Sequence, residues 1–290
     1  MIPHGRVTLG RMEEVIFGRP FIEALPKEIE KSGAKRVFLI CSKTLSSNTN
    51  EIQKLRKAVG SKLVGQFDCM GAHTYRNNVI AASKEIRKVS ADILVTFGGG
   101  SVTDGAKAVT LCLANDIFKA ENIDALRTRR TPSGHPLPPN FAGPKIKQIS
   151  IPTTLSAAEF SAIAGVTNQR TNMKDILSHP DIMPRTVILD PSPTTHTPEW
   201  LFLSTGIRAI DHCVEGICSK EAHAFGDALA MQGLTLLARG LPLVKSDPGN
   251  LAARLDCQLG SWLSSGPLVS GVPMGASHGI GYVLGANFGV

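Results

Sequence analysis

Aromatic side chains are scarce in this sequence. Eleven Phe, two Tyr and two Trp make up 5% of 290 residues, while 28 Gly and 18 Pro imply many turns. That balance suits an α/β enzyme better than a β-sandwich. Charged residues reach only 19% and hydrophobic ones 42%, which excludes a disordered chain. The six cysteines (Cys41, Cys69, Cys112, Cys213, Cys218, Cys257) contain no C-x-x-C pair and fall mostly inside apolar runs. This spacing argues against a disulfide frame or zinc knuckle and for reduced core thiols. The opening stretch MIPHGRVTLGRMEEV lacks the apolar run of a signal peptide. No window approaches the roughly 20 apolar residues of a membrane span. The expectation is a soluble, cytoplasmic protein without a membrane partner. Neither an internal repeat nor a low-complexity tract occurs.

The net charge is +7, which favours anionic partners. Most basic residues alternate with acids, as in Glu28–Lys31 and Lys84–Lys88, and read as solvated helix faces. The densest cluster, Arg127, Arg129 and Arg130, sits in a Pro-rich surface loop over residues 125–146 without aromatic stacking partners. Nucleic acid is therefore not the expected partner; a small anionic cofactor or substrate is.

The chain is long enough for two domains. Its first part alternates helix-like and strand-like segments. Phe21–Lys31, Asn50–Val59, Val79–Val89 and Val102–Ala114 carry apolar residues at helical spacing. Between them, Arg36–Cys41, Leu63–Phe67 and Asp92–Phe97 are short, apolar runs of the kind buried on both faces of a parallel sheet. Lys147–Pro152 and Thr186–Asp190 read as two more strands. From about Pro198 the grammar changes to long helices at Glu199–Ser219, Ala222–Arg239 and Leu251–Ser264. The predicted architecture is a doubly wound, Rossmann-like nucleotide-binding α/β domain over residues 1–195, followed by an all-α domain over 196–290.

Gly98-Gly99-Gly100-Ser101 joins a predicted buried strand to a predicted helix. Glycines let the backbone approach a phosphate closely, and a helix amino terminus points unpaired N–H groups at it. A purely structural tight turn is the alternative. The run continues as GGGSVTDGAK, which resembles the GGGS-x-x-D-x-x-K signature of the iron-type alcohol dehydrogenase and dehydroquinate synthase superfamily. FLICSKTL, IPTTLSAAEF, the HP-x-x-MP-x-x-VILDP run, TGIRAIDHCVEG and GASHGIGYVLG follow that family's order, from about Phe17 onward. TTLSAAEF has the shorter spacing of the maleylacetate reductase branch. The resemblance implies a dehydroquinate synthase-like fold and a nicotinamide cofactor, NAD(P)H. Gly99, Gly100 and Ser101 would hold its diphosphate, with Asp104 and Lys107 near the cofactor or capping the loop. Thr153 and Thr154 would line the nicotinamide side, with Lys174 nearby; a strand end capped by hydroxyls is the plainer reading of the two threonines. Where relatives that prefer NAD often carry an Asp after the first strand, this chain has Ser42 beside Lys43. A carboxylate would repel a 2′-phosphate, so this pair predicts that NADPH is accepted or preferred.

Metal-bearing relatives draw an Asp and a His, four residues apart, from one helix. Here His212 matches the His, but the residue four before it is Arg208. Arginine has no lone pair to offer a metal and repels a divalent cation. Asp211 points about 100° away from His212 on a helix, whereas Glu215 shares the His212 face. By the resemblance, His278 matches a later ligand and Tyr282 stands where many relatives carry another histidine. A last ligand would come from a PHG motif beyond Val290, so the chain is expected to be truncated at its carboxy terminus. Only His212 and His278 remain as metal ligands, fewer than the usual three. The expectation is a reductase without a tightly bound iron or zinc, as in maleylacetate reductases. Arg208 would bind a substrate carboxylate, with an ion pair to Asp211 or Glu215 as its plainer role. His212 and His278 would stabilise charge and donate a proton, and Tyr282 would relay it. Two other readings stay open: a metal-dependent alcohol dehydrogenase or aldehyde reductase, and a truncated, inactive nucleotide-binding relative. Family analogy also suggests a homo-oligomer.

Overall fold

The computed structural model describes residues 7, 9–131 and 136–288. Six strands form one parallel sheet: β1 (Glu14–Phe17), β2 (Val37–Cys41), β3 (Leu63–Phe67), β4 (Ile93–Gly98), β7 (Lys147–Pro152) and β10 (Thr186–Leu189). Their spatial order is β1-β10-β7-β4-β2-β3. Two antiparallel pairs lie outside it. One joins the two-residue strands β5 (Arg129–Arg130) and β6 (Pro136–Leu137), and the other joins β8 (Ile163–Asn168) to β9 (Met173–Ser178).

The apolar runs become central strands because both faces are covered. On β2, Phe38 and Ile40 pack with Leu94 of β4 toward α4 (Arg76–Val89) and α5 (Gly100–Ala114). Val37, Leu39 and Cys41 face the other way, with Val95 and Phe97, against α1 (Phe21–Lys31) and α3 (Glu51–Val59). A period of two thus serves two cores at once. The short helix α2 (Lys43–Asn48) follows β2 directly. Cys41, Cys112, Cys213 and Cys257 are buried thiols, as expected of core cysteines, whereas Cys69 and Cys218 are exposed; all six are free.

After residue 198 the elements among the described residues are helices: α6 (Glu199–Ile217), α7 (Ala224–Ser246), α8 (Leu251–Ser264), the one-turn α9 (Gly266–Val269) and α10 (Ala276–Phe288). Phe202, Ala209, Leu237, Leu241, Val244 and Cys257 form their core. Helix α7 runs seven residues past the expected end at Arg239, through Pro242. An interior proline costs about 3 kcal/mol. Burying Leu241 and Val244 on either side of it returns roughly 1.5–3 kcal/mol each, so packing wins.

The β8–β9 hairpin, which the sequence pattern does not announce, is tied to α4 by an ion cluster centred on the buried pair Arg76 and Asp175. Arg76, 2% exposed, reaches Asp175 and Asp124, both at 2.6 Å, and Arg127 approaches Asp175 at 3.4 Å. Removing one partner of a buried pair leaves an uncompensated charge. Asp175→Asn should therefore lower unfolding stability by about 3 kcal/mol, read as an earlier urea midpoint at unchanged slope.

Candidate active site

The carboxyl ends of β2, β4 and β7 meet at one edge of the sheet. Gly98 ends β4 at φ +157°, where a Cβ would lie 3.0 Å from Val102 Cγ2 and 3.3 Å from the Ser42 backbone nitrogen. Gly99 and Gly100 press against the segment after β7. A Cβ on Gly99 would sit 2.9 Å from Thr154 Cγ2, and one on Gly100 would sit 2.5 Å from Ser156 Oγ. Helix α5 therefore starts flush with the sheet edge. No side chain caps its amino end, and its first turn carries no acid. Its unpaired N–H groups and positive end are left for an anion, so the glycine cradle fits a diphosphate.

Of the residues expected around this loop, Ser42, Gly99, Gly100, Ser101, Thr153 and Thr154 come together. Ser42 Oγ accepts the Leu45 N–H at 3.4 Å, so the hydroxyl caps α2. Ser101 Oγ accepts from His73 N at 3.2 Å, and Thr74 Oγ1 donates to Ser101 O at 3.1 Å. His73 and Thr74 hold this grip with positive φ, 65° and 55°. Asp104 Oδ2 accepts from Gly165 N at 3.0 Å and its Oδ1 faces Lys107 Nζ at 3.4 Å, so the carboxylate fastens the hairpin to α5. Lys107 is fully buried and donates to the carbonyls of Ala158 and Ile163, bracing the segment between β7 and β8. Lys174, on β9, packs over Gly165, and its charge joins burial in holding His73 below the usual histidine range.

Residues 152–155 link this loop to the helices. Thr197 Oγ1 donates to Thr153 O at 2.7 Å, and Leu155 N donates to Thr205 Oγ1 of α6 at 3.1 Å. From α8, Ser261 Oγ donates to Leu155 O at 3.0 Å. The threonine segment is thus fixed by both helices that flank the second cluster of expected residues.

In that cluster, His212 and His278 stack with ring centroids 4.9 Å apart. Arg208 Nη1 lies 3.2 Å from Asp211 Oδ2, the ion pair that was its plainer reading. Asp211 bears out helix geometry toward His212 and adds a partner that geometry did not give. It points away from His212 but meets His278 of α10, its Oδ2 being 3.4 Å from His278 Nδ1. Glu215 Oε2 hydrogen-bonds the same Nδ1, and the Glu215 carboxylate also accepts from Gly275 N at 3.1 Å and Ser277 N at 2.8 Å. Against the cost of burial, these bonds hold Glu215 below its ordinary range. Tyr282 belongs to α10, and its side chain lies outside the described residues.

Asp211, Glu215 and His278 offer ligand atoms within 4.8 Å of one another. A cation there would meet the Arg208 guanidinium on Asp211 and would displace the donors already on Glu215. His212 lies outside the set; its Nδ1 faces Ser264 Oγ at 3.4 Å. The expected ligand pair of His212 and His278 is therefore not the set that converges, and the set that does converge already has protein partners, Arg208 on Asp211 and two backbone N–H groups on Glu215. These residues do not fit a tightly held metal.

Burial, with His278 and Arg208 nearby, pushes His212 down to about 3. Burial and Arg208 also lower His278, against the pull of Glu215. A neutral His212 can make a hydrogen bond but brings no positive charge, which removes the charge-stabilising half of its expected role. The unfolded chain binds a proton at His212 below about pH 6.5, and the folded chain does not until about pH 3. Stability from this group is thus present above 6.5 and lost as pH falls toward 3. Between pH 6.5 and 5 the loss is roughly 2 kcal/mol, at about 1.4 kcal/mol per unit. His212→Gln should flatten that part of the stability–pH curve in urea titrations.

Sequence reasoning missed His73, the meeting of Asp211 with His278, and the hairpin. His73 carries no motif of its own, and only its positive φ and the approach of α10 to α6 bring these contacts in. Helix α10 also touches β9, so the hairpin that carries Lys174 borders the His278 helix.

Residues 13–191 match the family model described as iron-containing alcohol dehydrogenase, and residues 202–290 match its companion, Fe-containing alcohol dehydrogenase family, C-terminal. Dehydrogenase FUM7 of Gibberella moniliformis is 35% identical, over 95% of this chain and 68% of that protein. Maleylacetate reductase of Burkholderia cepacia is 28% identical, over 96% of this chain and 68% of that one. Among solved structures, sulfoacetaldehyde reductase of Bifidobacterium kashiwanohense in complex with NAD+ shares the fold. Its TM-score is 0.83 at 22% identity, covering all of this chain and 73% of that one.

Proposed function

From the premise that this chain belongs to the iron-containing alcohol dehydrogenase family and is an oxidoreductase, we propose a metal-independent, nicotinamide-dependent reductase of a small carboxylate-bearing carbonyl or enone. Kinship with maleylacetate reductases supports the substrate class. The observation that carries the reading is Arg208, a guanidinium paired to Asp211 beside His278, where a metal would need a lone pair. NAD+ is the ligand of a structural relative, and the uncapped start of α5 is the seat the cofactor would take.

Bound there, the nicotinamide dinucleotide supplies the hydride. Backbone amides at Gly99, Gly100 and Ser101 would hold its diphosphate. Thr153 and Thr154, braced by Thr197 and Thr205, would line the nicotinamide side. Arg208 turns from Asp211 to a substrate carboxylate, exchanging one charged partner for another. Glu215 accepts the Nδ1 proton of His278 and so fixes its tautomer. Protonated at Nε2 as well, His278 would give that proton to the reduced substrate and take another from solvent. His212 stacks behind it and keeps water from that face.

The test is NADH oxidation by short oxo and enone carboxylates, compared with neutral aldehydes of equal size, in chelator. Turnover with the acids and little with the aldehydes is expected. Turnover of neutral aldehydes alone, restored only by iron or zinc, would reject the reading.

A further inference from the structure

The reading above seats a dinucleotide diphosphate on α5, and the inference here rests on it. Sheet order decides where the two nucleosides go. Strand β7, followed by Thr153 and Thr154, lies on one side of β4, and the segment after it joins α6, the helix of Arg208, through Leu155 and Thr205. On the other side lie β2 and then β3. With the reacting ring on the β7 side, the adenosine ribose falls at the carboxyl ends of β2 and β3.

At the end of β2 stands Ser42, whose hydroxyl is occupied by the Leu45 N–H. An acid does stand one strand further out. Asp68 follows β3 directly and leans back toward the end of β2. Its Oδ2 accepts from Ser46 Oγ at 2.5 Å and lies 3.7 Å from Lys43 Nζ, while Oδ1 accepts from Cys69 Sγ at 3.4 Å. The carboxylate is a quarter exposed and Lys43 is well exposed, so both are within reach of a ligand.

We propose that Asp68 is the residue that selects NAD(H) over NADP(H), taking from the neighbouring strand the part that Ser42 cannot play. A ribose 2′-hydroxyl can donate to Asp68. A 2′-phosphate meets its negative charge instead, and Lys43, the cation that would welcome the phosphate, is already answered by that carboxylate. The NADPH preference expected from Ser42 and Lys43 alone thereby loses its basis. The Ser46 hydrogen bond keeps Asp68 below its ordinary range, so the repulsion persists at neutral pH.

The experiment titrates the full chain with NADH and with NADPH, following nicotinamide fluorescence and needing no substrate. Wild type should bind NADH at least 10-fold tighter. Asp68→Asn, and independently Asp68→Ser, should move the ratio toward NADPH by 10-fold or more, and Lys43→Ala added to either should reverse most of that gain. An unchanged ratio in both Asp68 variants, with both nucleotides still bound, overturns this assignment and leaves the cofactor site intact. Failure of wild type to bind either nucleotide removes the site and this assignment together.

Discussion

Gly100→Ala is expected to weaken NADH binding about 100-fold, a loss of about 2.7 kcal/mol. The added methyl would stand 2.5 Å from Ser156 Oγ and 3.1 Å from Ser156 Cβ. Rotation about χ1 can carry the Ser156 hydroxyl away but leaves its Cβ at 3.1 Å and Ala158 Cβ at 3.4 Å. The start of α5 must then shift off the threonine segment, and its N–H groups lose their aim. Overpacking of this kind costs about 1–3 kcal/mol of stability in its own right. The companion variant Ser156→Gly separates the two effects. It removes the obstacle, so the double variant should recover most of the affinity. Recovery identifies a steric fault in the cradle; persistent loss would place the diphosphate elsewhere.

Arg208→Met should raise KM for carboxylate substrates about 30- to 100-fold while kcat falls much less. A charge-assisted hydrogen bond is worth about 1.5–3 kcal/mol, and a guanidinium fork on a carboxylate belongs at the upper end. Ground-state and transition-state binding lose it alike, which is why KM takes the change. Methionine keeps the length and apolar packing of the arginine stem, so α6 should stay folded. The variant also leaves Asp211 without its 3.2 Å partner. Zinc affinity should therefore rise in Arg208→Met, since Asp211, Glu215 and His278 would then converge without a competing cation. An unchanged KM would remove Arg208 from substrate binding and leave it as an ion pair.

Much of the α/β part was legible because burial on both faces leaves a plain record. VFLIC and ILVTF can be little else than central strands, and the GGGS turn after the second fixes where a helix must begin. Helix ends were less legible. Pro242 reads as a stop, yet Leu241 and Val244 carry α7 past it because their burial outweighs the proline. The hairpin of β8 and β9 escaped because its residues mix Gly, Asn, Thr and Lys. What holds it is Asp104 from α5 and Arg76 from α4, contacts invisible along the chain.

At the site, single-helix geometry was a sound guide to what Asp211 does not do with His212. It could not reveal that α10 would bring His278 to Asp211 from outside. Lys43 and Asp68 make the same point across two strands. Lys43 drew notice beside Ser42 and Asp68 drew none, and only the adjacency of β2 and β3 makes the charge of one answer the other. Function written in one segment is readable from that segment; function shared between segments needs the fold.

The most direct test of the account is calorimetric titration of the chelator-treated chain with NADH. Saturable binding at one site per chain, without added metal and with heat lost in Gly100→Ala, is the predicted result. Binding that appears only after iron or zinc is returned, or that ignores Gly100→Ala, would contradict it.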